Sequence, residues 1–163
     1  MLAAPAPPQR GGDVTCPQHK LGQLHSTRSV STLWRMAFES FAHVPVTEVL
    51  LRHVWEGEPN GRKGGHRFGL GREGKTEFPE NWELSMAEYA ITETLSRPQV
   101  VRINKDSTTC LRQVGGVVMI VTLYRRRRRL FILTAYPLSG DGVGQNRHHI
   151  RVDVPLDLSV LEA

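Results

Sequence analysis

Cysteine is scarce in this 163-residue chain: only Cys16 and Cys110 occur, far apart and outside any metal-ligand spacing. Two such cysteines make no disulfide framework. Cys16 and His19 in TCPQH could begin a zinc site, but no second ligand pair follows at a suitable distance, so no metal and no cofactor is expected. Long apolar runs are also missing. Residues 1–31 are rich in Pro, Ala, Gly and Ser and lack the apolar stretch of a signal peptide, so they read as a flexible leader. The longest apolar run, Gly115 to Tyr124, is too short to cross a bilayer as a helix, and no membrane insertion is expected. No internal repeat is visible.

With 39% hydrophobic and 23% charged residues the chain can build a core, which excludes wholesale disorder, and its length suits one domain, expected over residues 32–163. Lys and Arg outnumber Asp and Glu by 21 to 16, a net charge of +5. The isoelectric point near 9.7 favours a polyanionic partner such as nucleic acid, although many basic proteins bind none.

The spacing of Leu33, Met36, Ala37 and Phe41 predicts a helix over Thr32 to Val44, with Ser31 as N-cap and Pro45 beyond its end. Val46 to Trp55 (VTEVLLRHVW) is apolar and β-branched enough for a strand, with a short helix as the alternative. Glu56 to Asn81 is glycine-rich and polar, a long ordered loop with room for a small hairpin. Ser85 and Glu88 form a capping-box pattern before a helix whose stripe is Met86, Ala90, Ile91 and Leu95, stopped by Pro98. The rest reads as strands: QVVRIN, GGVVMIVTLY, RLFILTAYP and HHIRVDV, the last as an edge strand in an extension running from Leu138 to Ala163. Helices first and adjacent strands afterwards predict an α+β fold with an antiparallel sheet.

Gly69, Gly74, Lys75 and Thr76 fit the phosphate-loop pattern G-x-x-x-x-G-K-S/T. Such a loop must leave a buried strand and enter a helix, whose N-terminus holds the phosphates. The polar residues before Gly69 are no buried strand, and Pro79 falls within the first turns of the required helix. Nucleotide binding by this loop is therefore not expected.

His53 and His66 bracket a glycine-rich segment, and a loop folding back on itself could bring the imidazoles together. Cleavage of RNA by its own 2′-hydroxyl needs such a pair, one group to remove the 2′ proton and another to protonate the departing 5′ oxygen. A surface or satisfied core histidine is the alternative for each. In TAYP, strand alternation turns Thr134 and Tyr136 to one face, where a hydroxyl and a ring could hold a base and its ribose; an ordinary half-buried strand is the alternative.

In this order, HVWEGE from His53, GGHRFGLGREGKTEFPENW from Gly64 to Trp82, and ILTAYP from Ile132 resemble the bacterial branch of the uridylate-specific endoribonuclease (EndoU) family, over roughly Leu50 to Pro137. The resemblance implies an EndoU-like fold and metal-independent cleavage of RNA after uridines, leaving a 2′,3′-cyclic phosphate. It assigns His66 as general base, His53 as general acid, Thr134 as the uracil contact and Tyr136 as the ring that orients the ribose. Lys75 is the first candidate for a phosphate contact and Lys105 a looser one, with a solvated surface lysine as the alternative for both. Bacterial relatives are commonly toxic modules of secreted or contact-delivered effectors that act in a target-cell cytoplasm and are neutralised by an immunity protein. The rival reading is a non-catalytic basic RNA-binding module. Arg125 to Arg129 read as an exposed hairpin turn or an RNA-phosphate contact.

Overall fold

The structure is a computed structural model that describes residues 40–162. The leader, the Cys16 and His19 pair and the expected first helix up to residue 39 lie outside the described residues. From Ser40 to Val44 the chain is not helical, which corrects the end of that helix. Phe41 and Val44 are instead buried in the core, and the Phe41 amide donates to the Leu95 carbonyl at 2.8 Å.

The segment expected as a strand is helix α1, Glu48–Trp55. Its ends decide against β propensity. The Thr47 hydroxyl accepts from the Leu50 amide at 3.2 Å, Glu48 sits in the first turn, and Glu48 pairs with Arg52 at 3.1 Å. Leu51 and Val54 enter the core at helical spacing, while the β-branched Val49 that suggested a strand is left 78% exposed.

Helix α2, Leu84–Ser96, buries Ala87, Ala90, Ile91, Thr94 and Leu95, with Met86 half-buried at the margin. The capping box does not form. Glu83 is the N-cap, without a side-chain bond, and Ser85 already lies inside the first turn. Pro98 follows the C-cap Arg97, as its position in the sequence implies.

Two antiparallel sheets complete an α+β fold. The first is a meander of β2 (Val100–Ile103), β3 (Ser107–Val114), β4 (Val117–Arg126) and β5 (Arg129–Gly140). Val117, Met119, Val121 and Leu123 alternate into the core, and α2 packs on β3 and β4. Arg127 and Arg128 form the two-residue turn between β4 and β5 with φ of 47° and 67°, so the arginine run is an exposed hairpin tip. The second sheet has the order β1-β6-β7: β1 (Thr76–Glu77) from the glycine-rich loop, β6 (Gly144–Arg147) and β7 (Ile150–Asp153) at the edge. The loop's strand therefore pairs with a distant segment and makes no hairpin within the loop. Among the described residues no helix is long and apolar enough to cross a membrane.

Candidate active site

The front of the glycine-rich loop is tied to the end of α1 by backbone bonds. A helix leaves its last carbonyls without partners; here the Gly65 amide donates to the carbonyls of His53 and Val54, both at 3.1 Å, the His66 amide to Val54 at 2.8 Å and the Arg67 amide to Trp55 at 3.1 Å. This capping places His66 beside His53. Gly64 has a φ of 60°, and a Cβ there would strike the His53 carbonyl. The close approach is thus to the protein's own helix. Arg72 closes the loop from behind: its guanidinium donates to the Glu56 carbonyl and, at 3.2 Å, to that of Glu58, in a space where a Cβ on Gly65 would come within 2.6 Å.

The far part of the loop is organised by Glu77, a carboxylate only 1% exposed. Its oxygens accept from the Gly69 amide at 3.1 Å, the Gly71 amide at 2.7 Å and the Asn146 side-chain amide at 2.9 Å, with Arg151 at 3.6 Å. The amides of the phosphate-loop pattern therefore hold an internal anion, and the pattern leads into β1 rather than a helix. Aromatic contacts from Trp55 to Phe78 and from Phe78 to Trp82, with centroids 5.7 and 5.5 Å apart, anchor the loop's far end on the core.

These elements enclose a cavity of about 590 Å³ lined by His53, His66, Lys75, Thr134 and Tyr136, five of the residues singled out from sequence. His66 is 4% exposed, and its ring stacks on Tyr136 with centroids 5.4 Å apart and 20° between planes. Its Nδ1 lies 2.7 Å from the Thr76 carbonyl oxygen. A carbonyl can only accept, so Nδ1 carries the proton and Nε2 keeps a lone pair. Burial lowers the imidazole's pKa to about 4, opposed by the Thr76 bond and assisted by the positive charges of Lys75, His53 and Arg72. The ring is neutral at pH 7. His53, in the last turn of α1, is half-exposed.

Thr134 and Tyr136 lie between two bulges in β5. Thr122 pairs with Thr134 and Leu123 with Ile132, skipping Leu133; Met119 pairs with Pro137 and Val118 with Ser139, skipping Leu138. Bulges re-aim neighbouring side chains, and both skipped leucines line the cavity. Ala135, between Thr134 and Tyr136, is fully buried on the opposite face.

Lys63, Thr76 and Gln145 also line the cavity. Lys63 sits among polar residues without periodicity, and Gln145 lies on β6, whose sequence GQNR carries no hydrophobic alternation. Thr76, the last residue of the phosphate-loop pattern, gives its carbonyl to His66. The Lys75 ammonium donates to the Arg62 carbonyl at 3.0 Å, which fixes it at the cavity wall. Lys105 lies in a separate cleft with Asp106 and Arg125, away from the histidines. His148 and His149, in the turn before β7, are exposed, and their amides donate to Glu73 at 2.9 and 3.2 Å.

A scan against protein-family models and searches of curated proteins and of solved structures find no match to this chain. The case for its function therefore rests on the cavity and its residues.

Proposed function

We propose that the chain is a ribonuclease that cleaves single-stranded RNA at uridines by attack of the 2′-hydroxyl on the adjacent phosphate. The observation that carries this reading is the convergence of two imidazoles, a lysine, a hydroxyl and an aromatic ring on one cavity, with the buried imidazole fixed as the tautomer that can accept a proton. His66 Nε2 takes the 2′ proton as the bond from the 2′ oxygen to phosphorus forms. The bond from phosphorus to the 5′ oxygen breaks, and His53, in its protonated form, gives that oxygen a proton. The products are a 2′,3′-cyclic phosphate and a 5′-hydroxyl.

Lys75 and Lys63 suit the charge that gathers on the phosphate. The incoming phosphate also supplies the negative charge that stabilises a protonated His66, so the ring gains proton affinity as RNA binds. Thr134 is the uracil contact and Tyr136 the ribose contact. On the EndoU resemblance, the proposal extends to a delivered toxic module paired with an immunity protein.

Incubation with a single-uridine RNA in the presence of chelator tests the reaction, with 2′-deoxyuridine at that position as control. The ribose substrate is expected to be cut to a cyclic-phosphate end and the deoxy substrate to survive. His53→Ala and His66→Ala each lower the rate by about 10²- to 10⁴-fold. Binding of the ribose substrate without cleavage by the unmodified protein sinks the enzyme reading in favour of an RNA-binding module.

A further inference from the structure

A second cleft, of about 400 Å³, lies beside the first, and two elements are shared between them. Strand β5 contributes Arg129, Leu130, Phe131 and Ile132 to the second cleft, and from Leu133 onward it lines the first. Helix α1 contributes Leu50 to the second cleft and His53, one turn later on the same face, to the first. The two cavities thus run in series along one edge of the fold.

The second cleft has an aromatic floor and a basic end. Tyr124 and Phe131 are paired across β4 and β5 with their rings stacked, centroids 5.5 Å apart, and Phe131 remains 41% exposed. Thr122 is paired with Thr134 two residues before Tyr124, so the aromatic pair and the uracil-contact hydroxyl share a sheet face about 7 Å apart along the strands. The next pair outward on that face is Arg126 with Arg129. None of the five arginines from Arg125 to Arg129 forms an ion pair with a described carboxylate.

We propose that this cleft is a second nucleotide subsite, holding a neighbour of the cleaved uridine with its base stacked on Phe131 and its phosphate toward Arg129 and the hairpin tip. The inference rests on the ribonuclease reading of the first cavity. Stacking accepts any base, so the subsite adds affinity and orientation to the substrate and no sequence preference.

The test is binding of a labelled 2′-deoxyuridine mononucleotide and of a labelled RNA octamer carrying 2′-deoxyuridine at the cleavage position, followed by anisotropy. The unmodified protein is expected to hold the octamer more tightly. Phe131→Ala and Phe131→Leu weaken the octamer by about tenfold to a hundredfold and leave the mononucleotide unchanged, while Phe131→Tyr restores octamer binding. Arg129→Gln lowers the slope of log affinity against log salt by about 0.7 for the octamer.

Equal losses on both lengths, full octamer affinity in Phe131→Leu, or no length dependence in the unmodified protein overturns the subsite. Cleavage of the matching ribose octamer is read in parallel. If cleavage is absent while Phe131-dependent octamer binding persists, the enzyme reading fails and the subsite stands; cleavage whose length dependence ignores Phe131 has the opposite meaning.

Discussion

The two sheets are held together by opposite means. The four-stranded sheet is fastened by apolar side chains, with Val117, Met119, Val121 and Leu123 wholly buried between it and α2. The three-stranded sheet is fastened by polar groups around Glu77, which joins the glycine-rich loop, Asn146 of β6 and Arg151 of β7. The apolar sheet supplies Thr134 and Tyr136 to the cavity, and the polar one supplies Gln145 and the Thr76 carbonyl that orients His66. Apolar packing is non-directional and tolerates repacking, whereas a buried carboxylate requires each of its partners. The side of the cavity that orients a proton is therefore built from the less forgiving material.

The contrast breaks most sharply at Glu77. Glu77→Ala leaves the two glycine amides and the buried Asn146 side-chain amide without their acceptor and is expected to cost about 3–5 kcal/mol. Leu123→Ala costs a comparable amount, about 2–5 kcal/mol. Hydrogen exchange separates the two: the Glu77 variant loses protection in the loop and in β6 and β7 while β3 and β4 stay protected, and the Leu123 variant loses protection in β3 and β4. Uniform loss in both would mean that the sheets share one cooperative unit.

Acid sharpens the same comparison. His66 has a folded pKa of about 4 against an ordinary 6.5, so below pH 6.5 the unfolded chain takes up a proton that the folded chain refuses until about pH 4. Stability complete above pH 6.5 is thus lost as the pH falls to about 4, by about 3 kcal/mol. His66→Gln is expected to flatten denaturation midpoints across that window. Glu73 and Asp157, whose pKa values are lowered by hydrogen bonds from the His148 and Ser159 groups, titrate in both proteins and cancel in the difference.

Smaller effects belong to the apolar sheet's hairpin tip. Arg127 and Arg128 sit in left-handed backbone that arginine adopts at a cost, and Arg127→Asn with Arg128→Gly is expected to stabilise the fold by about 1 kcal/mol, raising the melting temperature. Lys105→Ala, in its separate cleft, is expected to leave the proposed uridine cleavage within about twofold of the unmodified rate.

Where local pattern and tertiary structure agreed, the sequence was readable. The alternation of GGVVMIVTLY and RLFILTAYP is that of strands half-buried on a core, and His53, His66, Lys75, Thr134 and Tyr136 do line one cavity. Strand β3 was missed because STTCLRQV is polar at many positions, of which only Thr108 is buried, and its place is set by pairing with β2 and β4. Strand β6 has no apolar signal, since its place is set by Asn146 bonding Glu77 and by backbone bonds to the loop. The bulges at Leu133 and Leu138 depend on register across strands, which no single segment encodes. For α1, the hydroxyl of Thr47 outweighed the β-branched residues.

The pairing of β1 with β6 also sets an order of events during synthesis. The Gly74 amide donates to the Asn146 carbonyl at 2.8 Å and the Asn146 amide to the Lys75 carbonyl at 3.0 Å, contacts between segments far apart in the chain. Translation delivers the N-terminal partner first, and contacts of such separation close late. A nascent chain that has not yet reached Asn146 already carries both histidines and the TAYP strand, but not the residues that fix the loop between them. Completion of the cavity is thus deferred until the Asn146 strand has followed the loop and the TAYP strand out of the ribosome.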